Sequence, residues 1–196
     1  MPIGRGAGGA KGVRRETAEK LIAAAAEEFN THGYGGTDTN RIARRAGFAP
    51  QTFYRWFADK AEIFIRVYDQ WQQQEARTLG ALLAENASDS RVAAAVVEHH
   101  RDYLVFRRSL RQLSLEDERV RAARAASRVR QVGQILIWRG ATAKEAPAIA
   151  AALLQMERLA DALAEGEFRD MGLDDSAGEA ALAAIIQRLR SKPAEA

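Results

Sequence analysis

Apolar residues recur at helical spacing along most of this chain, and polar or glycine-containing breaks separate the runs. Leu21, Ile22, Ala25 and Phe29 form one inward stripe, which predicts a first helix over 16–31 that ends at Gly33. Two compact groups follow. Ile42, Ala43 and Ala46 predict a short helix near 39–46, and Phe53, Phe57 and the more ambiguous Trp56 predict another near 50–57. Ile63, Phe64, Val67, Tyr68 and Trp71 then predict a long helix over 60–86. Val92, Val96, His99, Tyr103 and Phe106 share the next face, with a break expected near Arg107–Ser109 and a short helix through Leu113. A helix from the Glu116-Asp117-Glu118 acids to Trp138 ends at Gly140, since acids in a first turn favour a helix start. Thr142 with Glu145 forms a capping-box pattern ahead of the stripe Ile149, Leu153, Met156, Ala160 and Leu163. After a loop at 169–177, Leu182, Ile185, Ile186 and Leu189 give the last apolar face.

The window TDTNRIARRAGFAPQTFYRWFADK, residues 37–60, carries the candidate chemistry. Thr39 can cap a helix start with its hydroxyl. Gly47 suits a left-handed helix end, Phe48 plugs the turn, and Pro50 suits the first turn of a helix because its missing N–H is no loss there. With Phe53 and Phe57 inward, Gln51, Thr52 and Arg55 face outward near a helix start, where they reach base edges or phosphates. Tyr54 offers a phenolic O–H, and Arg44 and Arg45 are either phosphate contacts or plain solvated charges. Asp59 is a candidate cap for the long helix, and Lys60 sits at its start, a position suited to a phosphate. One helix in a groove and another across the backbone is the arrangement such a pair supports.

At these residues the chain resembles the tetracycline-repressor (TetR) family of bacterial regulators. The likeness runs from about Glu16 to Phe64 and rests on Ala25, Phe29, Gly33-Tyr34, Gly36-Thr37, Thr39, Ile42-Ala43, Ala46-Gly47, Phe53-Tyr54, Phe57, Lys60 and Phe64. The resemblance implies an all-α homodimer. An N-terminal three-helix helix-turn-helix DNA-binding domain would be joined to a C-terminal helical domain for ligand binding and dimerisation. The family's DNA-contact positions fall here on Thr39, Ala49, Pro50, Gln51, Thr52, Tyr54, Arg55 and Lys60. Phe48 and Gln51 stand where the family often has valine and glycine, so an operator sequence cannot be carried over. The expected organisation is a flexible basic arm at 1–14, a DNA-binding domain at 15–74 with the motif at about 38–57, and a ligand-binding and dimerisation domain at 75–196.

Charge supports the motif only modestly. The net charge is +3, but residues 1–60 hold 10 basic and 6 acidic side chains against 19 and 20 in the remainder, so the positive field lies beside the proposed reader. The glycine-spaced Arg5, Lys11, Arg14 and Arg15 are either a groove-touching arm or an unstructured tail. There is no cysteine, which excludes disulfides, thiol catalysis and cysteine-bound zinc. With only His32 besides the adjacent His99 and His100, which point about 100° apart on a helix, a multi-histidine metal site is not expected. No Walker loop or zinc-protease pattern is present, so neither an enzyme nor a cofactor is expected. No apolar run reaches the roughly 18 residues of a membrane span, and the N-terminus lacks a signal-peptide core, so the expected location is the cytoplasm.

The C-terminal half offers less specific signals. His99, Tyr103, Phe106, Trp138, Met156 and Leu159 are candidate linings of an effector pocket, and each is equally suited to a core. His100, beside His99, points about 100° away on a helix. Arg158 either meets an acidic effector or pairs with Glu157 or Asp161. Ile149, Leu153, Leu163, Leu182, Ile185, Ile186 and Leu189 either pack within one subunit or form half of a four-helix dimer bundle. The family resemblance favours the dimer. The expected function is therefore a ligand-responsive repressor of double-stranded operator DNA, released by an unknown small molecule. Two recognition helices would sit ~34 Å apart, one DNA turn. A tilt at the far end of the long helix would swing them. An activator of the same family, or a helical binding protein without DNA function, is the alternative.

Overall fold

In the computed structural model, residues 7–191 are described, with side chains described over 15–191. Among the described residues there are helices and turns but no strand. The chain divides into two compact units between Gln70 and Trp71.

The first unit holds α1 (Ala7–His32), α2 (Thr39–Arg45), α3 (Pro50–Phe53) and the opening turns of α4 (Lys60–Ala84). α1 starts well before the expected position 16, so the latter part of the expected arm has a helical backbone; Arg5 lies outside the described residues. Leu21, Ala25, Phe29, Ile42, Ala43, Phe53, Phe57 and Phe64 are buried and form the core that the stripes predicted. Phe29, Tyr34 and Phe64 interlock at its centre, with Phe29 edge-on to Phe64 at 5.0 Å. Such a pair contributes about 1 kcal/mol beyond its buried area.

The second unit holds the rest of α4 with α5 (Asp89–Asp102), α6 (Leu104–Glu116), α7 (Glu118–Arg139), α8 (Ala146–Glu165), the short α9 (Glu167–Asp170) and α10 (Ser176–Arg190). Thr142 and Glu145 form the expected capping box at the 3-10 turn preceding α8. Ser88 caps α5 by accepting from the Arg91 amide. The break after α5 falls at Tyr103 rather than at 107–109, where φ −117° and ψ 29° leave the helical region. The physical reason lies four residues on. The bend turns Phe106, Arg107, Leu110 and Leu113 of α6 inward, and Arg107 then has buried carboxylates to meet. Asp117 caps α7 through the amides of Arg119 and Val120. The expected loop at 169–177 begins as the last turn of α9 and ends as the first of α10.

The apolar core of this unit joins α5, α8 and α10: Val92, Val96, Ile149, Leu153, Met156, Leu163, Leu182 and Ile185 belong to one buried cluster. The cluster takes in the residues expected either at a dimer bundle or in a single-subunit core. Ile149, Leu153, Leu163, Leu182, Ile185, Ile186 and Leu189 are all buried within the single chain. Their side chains pack α8 and α10 on α5. No helix among the described residues is long and apolar enough to cross a membrane.

Candidate nucleic-acid interface

Asp38 caps α2 by accepting the Arg41 amide at 2.8 Å; Thr39, the expected cap, is instead the first helical residue. The Thr39 hydroxyl is thereby freed and bonds the Tyr54 hydroxyl at 2.9 Å, which braces the start of α2 against the end of α3. α2 closes on Gly47, whose φ of +79° is a left-handed conformation that a Cβ would strain. The Gly47 and Phe48 amides bond back to Arg44 and Ala43, which satisfies carbonyls at the helix end and fixes the bend. Gly36 is needed for a different reason: a Cβ there would lie 2.2 Å from the His32 carbonyl oxygen.

α3 is shorter than the expected 50–57. Regular helix ends at Phe53, and residues 54–56 continue as a tight turn with Trp56 N–H bonded to Phe53 O. Pro50 stands in its first turn as expected. Phe53 and Phe57 are buried beneath, and Trp56 is half-buried. Outward stand Ala49, Gln51, Arg55 and Tyr54, the last 59% exposed, with Thr52 half-buried beside them. Asn40 and Arg44 extend this exposed face along α2. Arg44 and Arg55 make no ion pair among the described residues.

Two expected cations are committed elsewhere. The Lys60 ammonium donates to the carbonyls of Tyr34 at 2.7 Å and Thr37 at 2.9 Å and lies 4.0 Å over the Tyr34 ring. Burial pushes its pKa below the ordinary lysine value, partly offset by the Asp38 charge. Lys60 therefore ties the turn after α1 to α4 and keeps at most one N–H for a phosphate. Arg45 donates to Glu28 at 2.6 Å and to Glu27 at 2.9 Å. Asp59 does cap α4, accepting the Glu62 amide, while Glu62 accepts the Ala58 amide in return.

The buried carboxylate of Glu28 was not anticipated. It also accepts from Thr37 Oγ1 at 2.9 Å and lies 3.2 Å from Arg41 Nε. Burial opposes its ionisation, but the bonds from Arg45 and Thr37 and the charges of both arginines outweigh that and hold it below the usual carboxylate range. A signal was available: Glu28 stands in the apolar stripe of α1 beside Phe29, and Arg41 and Arg45 lie one helical turn apart.

Of the candidate effector linings, His99 and Tyr103 lie side by side, with their rings 5.3 Å apart, and His99 stacks on Trp71 at 4.8 Å. Burial pushes the His99 pKa below the ordinary histidine value, and its Nε2 is buried without a hydrogen bond. Phe106 is fully buried, and Met156 and Leu159 belong to the α5–α8–α10 core. Trp138 is 52% exposed near the end of α7, because the inward face of that turn is taken by Ile135 and Leu136. Arg158 pairs with Glu167 at 2.7 Å rather than with Glu157 or Asp161.

The second unit instead carries a buried ionic network. Arg107, 1% exposed, donates to Asp161 and Glu157 of α8 at about 2.9 Å. His100 Nδ1 lies 2.9 Å from Asp161, and its Nε2 lies 3.6 Å from Glu75 of α4. Arg124 and Arg128 of α7 close on Glu157. Five helices thus share one set of charges.

The fold and its first unit define a class: an all-helical protein with a helix-turn-helix whose outward face is polar and cationic. Residues 21–67 match the tetR family of bacterial regulatory proteins, and in this part the chain is similar to that family. The HTH-type transcriptional regulator YdgC of Bacillus subtilis (strain 168) is 33% identical over 76 residues, which cover 39% of this chain and 38% of that protein. The fatty acid metabolism regulator protein of the same organism is 29% identical over 105 residues, 50% of this chain and 54% of its own. The chain thus spans about half or less of the curated relatives it matches. Among solved structures, a transcriptional regulator from Rhodococcus sp. Rha1 has the same fold with TM-score 0.63 and 19% identity, over 90% of this chain and 99% of that one. The fatty acid degradation regulator FadR of Bacillus halodurans matches with TM-score 0.58 and 14% identity, over 92% and 97%.

Proposed function

We propose that this protein is a homodimeric transcriptional regulator that binds operator DNA through α2 and α3, a repressor released by a small-molecule effector. The observation that carries this reading is the exposed, acid-free face of Arg44, Ala49, Gln51, Thr52, Tyr54 and Arg55, held rigid by the Gly47 bend and the Thr39–Tyr54 bond. Arg44 and Arg55 are free to neutralise phosphates, which position a protein on a duplex, while Gln51 and Thr52 are short enough to read base edges. An effector that binds the second unit differently in two conformations would shift the population between them and lower operator affinity by that difference. The stacked Trp71–His99 pair with Tyr103 is the proposed effector wall, because the unbonded His99 Nε2 there is a polar atom in want of a partner.

The test is duplex binding followed through salt. Arg44→Ala and Arg55→Ala each reduce the slope of log affinity against log salt by about 1 where the guanidinium meets a phosphate. Gln51→Ala and Thr52→Ala instead change preference across a panel of upstream duplexes. Unaltered binding in all four variants defeats the reading. Effector screening starts with fatty-acid derivatives, because two of the similar proteins are named for fatty acid regulation.

A further inference from the structure

α2 carries three arginines, and the structure treats them differently. Arg44 is exposed and makes no ion pair among the described residues. Arg41 and Arg45, whose side chains are 42% and 39% exposed, are both tethered backward to Glu28. Arg45 adds a second bond to Glu27, and Arg41 reaches the Gly36 carbonyl at 3.5 Å. Glu28 itself is 3% exposed, is anchored by the Thr37 hydroxyl, and cannot follow either arginine outward. A move of Arg41 or Arg45 to a phosphate would strip charge from a buried carboxylate, and breaking a buried pair costs more than one exposed phosphate contact returns.

We propose that Glu28 is a specificity-determining positioning residue: it holds Arg41 and Arg45 off the DNA backbone and so limits sequence-independent binding. The inference rests on the DNA-binding reading above. Its logic is electrostatic. Attraction to arbitrary duplex is almost entirely phosphate neutralisation, whereas discrimination comes from base edges. Each cation withheld weakens binding to every sequence alike and leaves the contribution of Gln51 and Thr52 intact. A regulator facing a large excess of nonspecific sites gains selectivity from this restraint.

The experiment is a salt titration of full-length protein with a short mixed-sequence duplex, read by fluorescence anisotropy, with helicity checked by circular dichroism. Glu28→Gln keeps the side-chain shape and an acceptor for Thr37 but releases the charge. It is expected to steepen the salt slope by about 1 to 2 and to tighten low-salt binding at least ~10-fold. Adding Arg41→Gln and Arg45→Gln to that variant returns the slope to the wild-type value. Arg41→Gln alone leaves the wild-type slope unchanged, and this arm decides the matter if Glu28→Gln does not fold. A folded Glu28→Gln protein with the wild-type slope overturns the proposal, and so does a slope that flattens by about 1 in Arg41→Gln. Both outcomes leave the DNA-binding reading standing. A wild-type protein without salt-dependent duplex binding overturns that reading and this inference together.

Discussion

Two hydroxyls 2.9 Å apart, on Thr39 and Tyr54, do much to set the geometry of the proposed reader. They join positions fifteen residues apart. If Tyr54 also meets a phosphate, removing its oxygen loses both the brace and the contact. Tyr54→Phe is expected to weaken duplex binding about three- to ten-fold, roughly 1 kcal/mol, while Thr39→Ser keeps a hydroxyl and stays near wild type. Anisotropy on a single duplex distinguishes the two. The outward positions of Gln51 and Arg55 were legible in the sequence, because helical spacing and a proline start leave little choice of face, while Thr52, expected beside them, is half-buried. The engagement of Lys60 was not. Its acceptors are backbone carbonyls of Tyr34 and Thr37, and every residue has a carbonyl, so no residue type marks them.

At the scale of elements, periodicity placed most helices within a few residues, and the errors share a cause. The break at Tyr103 was misplaced because an unbroken stripe from Val92 to Phe106 reads as one helix. What bends it is the burial of Arg107 against Asp161, a partner 54 residues away. Burial opposes ionisation of Asp161, but the bond from His100 and the charges of Arg107 and His100, with a further bond from Arg111, hold its carboxyl far below the usual carboxylate range. Because the folded-state pKa is depressed, this contribution is fully present above the unfolded value of about 4 and drains away as pH falls below it. Asp161→Asn strips the buried Arg107 of a charge partner and is expected to destabilise the protein by roughly 3–5 kcal/mol. Urea unfolding between neutral and acid pH checks both statements. The variant is weaker at neutral pH and loses less than the wild type on acidification.

At the scale of the molecule, the second unit is closed around its own core, and the helices proposed for dimerisation have spent their largest apolar side chains on it. Ala148, Ala151 and Leu154 on α8, with Ala177, Ala181 and Ala184 on α10, remain exposed. Arg188 of α10 bonds Gln155 of α8 on that outer side at 3.2 Å. Small side chains allow close approach of helices across a two-fold axis, and this face replaces the buried stripes as the proposed dimer contact. A carboxylate at Ala184 would be buried twice over in such a contact. Ala184→Glu is expected to weaken self-association at least ~100-fold, about 2.7 kcal/mol, in sedimentation velocity, whereas Arg101→Glu at an exposed position of α5 does not. A monomeric wild type would remove the dimer from the functional reading.

Sequence by itself determined the all-helical class, the bend at Gly47 and the outward face of α3. These depend on local spacing, on backbone freedom at one glycine and on which side chains avoid water. Only the tertiary structure decided which charges are spent. Glu28 takes Arg41 and Arg45, Lys60 serves a turn, and Asp161 gathers Arg107, His100 and Arg111. Charge pairing depends on distances between segments remote along the chain, and those distances exist only after the cores have packed.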